Sequence, residues 1–320
     1  MTETKVIIDC GGGIDDAYSL LLLLNAHKHK LIQIEAITCV NGNMLVEGVV
    51  KNVFRALTFY RSPDIPVFQG ASVPLLSNVC ENIQKMTNDR YDGNYGRQIA
   101  CTSADTRTLR KEHAVSALNR IVSEYPNQVD ILCLGPLTNI ALAIKMYPKF
   151  AYNVRKMFVM GGNLPTSANS TPEVEFNFYM DPESAYIVLT NSVKPLWLLP
   201  RETCLKSSIS HEWRKNVLGV IQNQYVYFIN YLEYGRKKPS NEKGLTNYII
   251  YDAVLAAMYL VPTIATNILP RYVEIELKDN TQRGLVKYNH LLNSIPNVQL
   301  IVSFDSEFFK NLLLFAANSL

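Results

Sequence analysis

Runs that are apolar almost throughout alternate with helix-like stretches over the first two-thirds of the chain, and this alternation limits the fold more than any other feature. Lys5–Cys10, Leu31–Val40, Ile65–Gln69, Val129–Leu134, Lys156–Met160 and Val193–Leu199 read as strands. Ile14–His27, Leu45–Tyr60, Glu112–Glu124, Thr138–Met146 and Asp181–Thr190 read as helices. Strands without a polar face must be covered on both sides, and intervening helices supply that cover. The pattern therefore predicts an α/β fold with a mostly parallel central sheet flanked by helices. No linker, low-complexity tract or repeat interrupts it, so residues 1–320 are expected to form a single domain.

Two stretches depart from the alternation. Residues 71–110 show little periodicity, and so long a loop in a compact domain is often functional. His211–Lys237 reads as one long helix whose Tyr225, Tyr227, Phe228, Tyr231 and Tyr234 form an aromatic stripe, read first as core packing. Beyond it, Asp252–Leu260 reads as a helix, Tyr272–Leu277 and Val298–Ser303 as strands, and the chain ends in a helix reaching Leu320.

Composition excludes several classes of function. With 31 basic and 28 acidic side chains the net charge is only +3, and the cations are scattered, so neither nucleic acid nor a membrane surface is an expected partner. The six cysteines form no CxxC pair, and Cys10, Cys39 and Cys133 lie in strand-like runs, which reads as reduced core thiols. Neither a signal peptide nor a stretch of about 18 apolar residues is present, so a cytoplasmic protein is expected.

The segment richest in chemistry follows the first strand: Asp9-Cys10-Gly11-Gly12-Gly13-Ile14-Asp15-Asp16. Ligands of open parallel sheets bind outside the carboxyl ends of strands, where this turn must lie. One acid at a helix start is an ordinary cap, but two behind a glycine turn ask for more. A dinucleotide loop is disfavoured: Asp16 stands where the third glycine of GxGxxG belongs, and the acids would repel a pyrophosphate. Hard divalent cations and vicinal hydroxyls, by contrast, both suit clustered carboxylates and amides.

The segment resembles the D-T-D-P-G-I-D-D signature of the inosine–uridine-preferring nucleoside hydrolase family. Ala36–Asn43, Ile65–Gly70, Leu134–Ala141, Met160–Gly162, Asn169–Pro172, Glu175–Asn177, Asp181-Pro182 and Tyr251–Ala253 are similar to further segments of that family, in its order. The resemblance implies a nucleoside hydrolase fold, hydrolysis of the N-glycosidic bond of purine or pyrimidine ribonucleosides, and a calcium ion. Carried over by position, Asp16 and Asp252 are side-chain metal ligands and Leu134 a carbonyl ligand. Asp15, Asn43, Asn169, Glu175 and Asn177 hold ribose hydroxyls, Met160 lines the sugar pocket, and a homo-oligomer, dimer or tetramer, is expected.

The chain also departs from this pattern. Gly11 stands where the family places an acid that is both a calcium ligand and the general base. A positioned base contributes about 10²–10⁴ in rate, so activity should be attenuated. Asp9, two residues earlier on the strand, is expected to lie deeper. Where some members place a histidine for the departing base, this chain has Tyr251, which is read either as proton donor or stacking partner or as simple packing. His27 and His29 read as surface histidines and His113 as structural. Three readings are open: a working hydrolase, a catalytically silent binder of nucleosides or other ribosyl compounds, and a scaffold that inherited the fold. The enzymatic reading rests on Asp15, Asp16 and Asp252 converging.

Overall fold

The computed structural model describes residues 3–76, 105–165, 174–206, 209–233, 247–288 and 294–319. Strands β1 (Thr4–Cys10), β2 (Ile32–Cys39), β3 (Val67–Gln69), β4 (Val129–Cys133), β5 (Lys156–Met160) and β6 (Leu196–Leu199) run parallel, joined by β12 (Val298–Phe304) and the antiparallel edge strand β9 (Ala265–Arg271). The order across the sheet is β3-β2-β1-β4-β5-β6-β12-β9. Chain progression reverses at β1, between β2 and β4, and such a switch point opens a crevice at the strands' carboxyl ends.

Alternation along β1 feeds two cores. Val6, Ile8 and Cys10 join one cluster and Ile7 the other, all fully buried. The first core lies beneath α1 (Ile14–Lys28) and α2 (Val46–Phe59), and the second beneath α3 (Ala114–Glu124) and α4 (Thr138–Met146). Helix α1 buries Leu20 to Leu24 without a break, an all-round apolar run that only an enclosed helix tolerates. After the short α5 (Phe150–Asn153) come α6 (Phe176–Met180) and α7 (Pro182–Asn191), then α8 (Arg201–Leu205).

The predicted helix over His211–Lys237 is interrupted. A turn of α-helix, α9 (His211–Trp213), runs into a π-helical turn at Arg214–Leu218. A new helix, α10 (Gln224–Glu233), starts where the Asn223 side chain accepts the N–H groups of Tyr225 and Val226 at 3.1 and 2.9 Å. That cap rewards a fresh helix start over continuation. The aromatic stripe packs in part: Tyr225 stacks on Tyr60 and Phe228 on Phe59, while Tyr227 is exposed. Tyr234 lies outside the described residues, as does most of the loop over 71–110.

Two residue pairs, β7 (Ile209–Ser210) and β8 (Asn247–Tyr248), form a small ribbon ahead of α11 (Tyr251–Leu260), which packs against α1. The predicted strand Tyr272–Leu277 is present in shorter form as β10 (Val273–Ile275), which makes a short hairpin with β11 (Val286–Tyr288). Helix α12 (Ser306–Ser319) closes the fold. Cys10, Cys39, Cys133 and Cys204 are buried, while Cys80 and Cys101 lie outside the described residues.

Candidate functional site

Three loops meet at the switch point, and glycine lets their backbones touch. A side-chain carbon at Gly135, after β4, would stand 3.0 Å from the Gly11 nitrogen, and one at Gly42, after β2, 3.5 Å from the Gly11 α-carbon. Gly12 has φ of +72° and faces the Val49 α-carbon, which an added carbon would meet at 2.8 Å, so this turn needs glycine. At Gly13 the Asn43 side-chain amide fills the space, which places Asn43 against the acidic loop. Gly11 differs from both. A carbon added there finds only backbone, at 3.8 to 4.0 Å, so a side-chain β-carbon fits at this position.

The glycine turn opens α1, and Asp16 takes its exposed donors. Its oxygens accept the Gly13 N–H at 2.7 Å and the Gly11 N–H at 3.2 Å. Burial still pushes the Asp16 carboxyl up to about 7, with Asp15 adding like-charge repulsion. Asp15 is half-buried, and its Oδ2 accepts the backbone N–H of Tyr251 at 3.1 Å. That bond draws the start of α11 onto the start of α1. Asp252, in the first turn of α11, is buried and held well above the usual carboxylate range by desolvation and then by the charges of Asp16, Asp15 and Glu175. The acids of two helix starts thus share one space.

The opposite wall comes from β4, β5 and α6. Glu175 caps α6, its oxygens accepting N–H groups of Asn177 (2.8 Å), Phe178 (3.1 Å) and Gly162 (3.1 Å), and burial pushes its carboxyl up to about 7. The Asn177 amide donates to the Leu134 carbonyl at 3.0 Å and the Met160 carbonyl at 3.2 Å, tying the exits of β4 and β5. Met160 is buried at the end of β5. Asn169 lies outside the described residues.

Several neighbours carry no motif. Arg201, the first residue of α8, stands near enough to Tyr251 and Glu175 for its positive charge to lower the proton affinity of both. Its only sequence signal is a cation just past the carboxyl end of an apolar strand. Asp9 points to the other face of β1, where Thr38 (2.6 Å) and Asn139 (2.8 Å) donate to its Oδ1. It is fully buried, as its place on the strand predicted, and binds β1 to β2 and α4. His113 caps α3, His27 packs against Ile32 and Ile34, and His211 meets Tyr248 edge to face, while His290 lies outside the described residues.

Does the site fit a calcium ion? Asp16, Asp252 and the Leu134 carbonyl are hard oxygen donors, but calcium takes about 6–8 oxygens. Each Asp16 oxygen already accepts one backbone N–H and the Leu134 carbonyl accepts the Asn177 amide, which leaves each only part of its lone-pair capacity, and position 11 has no side chain. Among the described residues no group of three His, Cys, Asp or Glu is arranged to hold a metal. The donors present fall short of a calcium cage.

Comparisons with known proteins agree with this architecture. The family model for inosine-uridine preferring nucleoside hydrolase matches residues 6–311. The pyrimidine-specific ribonucleoside hydrolase RihA of Salmonella paratyphi C is 30% identical over 317 residues, 96% of each chain. RihA of Salmonella gallinarum is 29% identical over 311 residues, again 96% of each. Among solved structures, an inosine-guanosine nucleoside hydrolase superposes with a TM-score of 0.83 at 24% identity, covering 98% of both chains. A purine-preferring ribonucleoside hydrolase from Gardnerella vaginalis gives 0.79 at 21%, also covering 98% of both.

Proposed function

Because the chain belongs to the inosine-uridine preferring nucleoside hydrolase family, we propose that it hydrolyses the N-glycosidic bond of a ribonucleoside to ribose and free base, at a rate held down by the missing acid at position 11. The observation that carries this reading is the meeting of Asp15, Asp16 and Asp252 at the starts of α1 and α11, with Asn43 against the glycine turn.

Each side chain then has a part. Asp15 is the least buried of the three acids and one of its oxygens is fixed by the Tyr251 amide, so it is the acceptor for a sugar hydroxyl and for the proton of the attacking water. Asn43 and Asn177 orient the ribose, with the Asn177 amide already spent on backbone and its Oδ1 offered to a hydroxyl. Glu175 and Met160 shape the wall, and Asn169 belongs to the same proposed ribose-holding set. Calcium at Asp16, Asp252 and Leu134 would be bound weakly, and no step depends on it. A homo-oligomer in the cytoplasm completes the proposal; among the described residues no helix is long and apolar enough to cross a membrane.

Gly11 favours a second reading, a silent binder of nucleosides. The test is release of free base from uridine, cytidine, inosine and adenosine at micromolar protein, with and without calcium, alongside calorimetry. Turnover of any one supports the hydrolase; binding without turnover selects the silent binder. Neither binding nor turnover removes both.

A further inference from the structure

One peptide unit of the glycine turn is gripped at both ends. The Gly12 carbonyl accepts a hydrogen bond from the Asn52 side-chain amide at 3.0 Å. The Gly13 N–H, the other end of the same peptide, donates to Asp16 Oδ2 at 2.7 Å. This peptide is trans, so its C=O and N–H point in opposite directions, and Asn52 on α2 and Asp16 on α1 hold the plane between them. Asn52 lies one turn after Val49, whose α-carbon backs Gly12, so one face of α2 both supports the turn and supplies the donor.

The orientation of the Asn52 amide is fixed in turn. Its Oδ1 accepts from Arg55 Nη1 at 2.9 Å, and a guanidinium can only donate. The atom facing Arg55 is therefore the oxygen, which turns the amide nitrogen to Gly12. That nitrogen also lies 3.3 Å from the Met44 sulfur, a weak acceptor.

Side-chain sterics do not set the direction of the Gly12–Gly13 peptide. Turning it over changes only Gly12 ψ and Gly13 φ, torsions that glycine leaves open. Hydrogen bonds decide instead: turned over, the peptide would set the Gly12 oxygen against the Asp16 carboxylate and its N–H against the Asn52 amide nitrogen. The same peptide is the entry to α1, because Gly13 is the N-cap and its carbonyl accepts the Ala17 N–H at 3.3 Å. Asp15 and Asp16 follow in the first turn. We propose that Asn52 is a positioning residue, which by holding the Gly12 carbonyl fixes the start of α1 and the direction in which Asp15 and Asp16 face a ribosyl group. Its part in turnover rests on the hydrolase reading; its grip on the peptide does not.

The test uses two variants. Asn52→Asp keeps the size and the Arg55 partner but sets an acceptor against the Gly12 carbonyl, and Asn52→Leu removes the amide altogether. Hydrogen exchange at the Gly13 amide, followed by NMR, should quicken at least about tenfold in both, with the amides of β1 within about twofold. Hydrolysis of the preferred nucleoside should show kcat lowered about tenfold and KM within about threefold, since the acids are displaced while Asn43 and Asn177 still hold the sugar. Met44→Leu, which removes only the sulfur contact of the same amide nitrogen, should leave exchange and kcat within about twofold. Unchanged Gly13 exchange in both Asn52 variants overturns the proposal, as does unchanged kcat or an equal loss in Met44→Leu. If the unsubstituted protein turns over no nucleoside, the hydrolase reading fails on its own, and Gly13 exchange alone decides: quickened upholds the positioning, unchanged overturns it.

Discussion

Helix α1 carries two groups of buried polar side chains one turn apart, and they treat charge in opposite ways. At its start, Asp15 and Asp16 face Asp252, and like charges raise one another's proton affinity. One turn on, the Tyr18 hydroxyl joins Arg214, Glu233 and Tyr248, where the Arg214 guanidinium meets the Glu233 carboxylate at 3.0 Å and Asn230 accepts at 2.7 Å. The second group balances its charge internally and fastens α1, α10 and β8 together. The first sets like charges against one another, a destabilising arrangement of the kind that clusters at functional sites.

The largest expected effect breaks the first group. Asp15→Asn should reduce base release by about 10²–10⁴ with little change in Tm, read from product assays and thermal melts. Arg214→Met should do the reverse, costing about 3 kcal/mol of stability by stranding Glu233, with turnover per folded molecule retained; denaturant unfolding measures it. Gly11→Asp sharpens the contrast, because a β-carbon at that position meets its neighbours only at ordinary contact distance. It should lower Tm without calcium, raise it with calcium, and increase turnover at least about tenfold. An identical response of both proteins to calcium would show that the site has diverged beyond this position.

The smallest effect concerns pH. Asp16 and Glu175 bind protons more tightly folded than unfolded, their carboxyls lying near 7 instead of the ordinary carboxylate range. Stability therefore falls as pH rises from about 4 to about 7. Asp252→Asn, which removes one of the repelling charges, should flatten that slope and raise Tm at pH 8 by roughly 2 °C, about 1 kcal/mol.

Much of this was legible in the sequence because burial on both faces leaves an unmistakable apolar record: β1, β4 and β5 lie almost where the pattern predicts. Strand β9 left no such record. Its residues Ala265–Arg271 are largely exposed, and Pro270 is tolerated because the strand is an edge. The interruption after Trp213 was equally hidden, since the Asn223 cap looks like one more polar residue in a long helix. At the site, Asp15, Asp16 and Asp252 were readable as acids at helix starts. Arg201 was not, because its proximity to Tyr251 depends on where β6 lies relative to β5, a long-range fact.

The three glycines before Asp15 also have unequal evolutionary prospects. Gly12 is locked by its positive φ and by the Val49 α-carbon, so any descendant keeping this turn keeps it, whereas Gly13 is crowded only by the movable Asn43 amide. Gly11 is under no such constraint, since a side-chain carbon added there meets only backbone, at 3.8 to 4.0 Å. Of the three, the position where the resemblance expects an acid is thus the one at which the turn itself does not demand glycine.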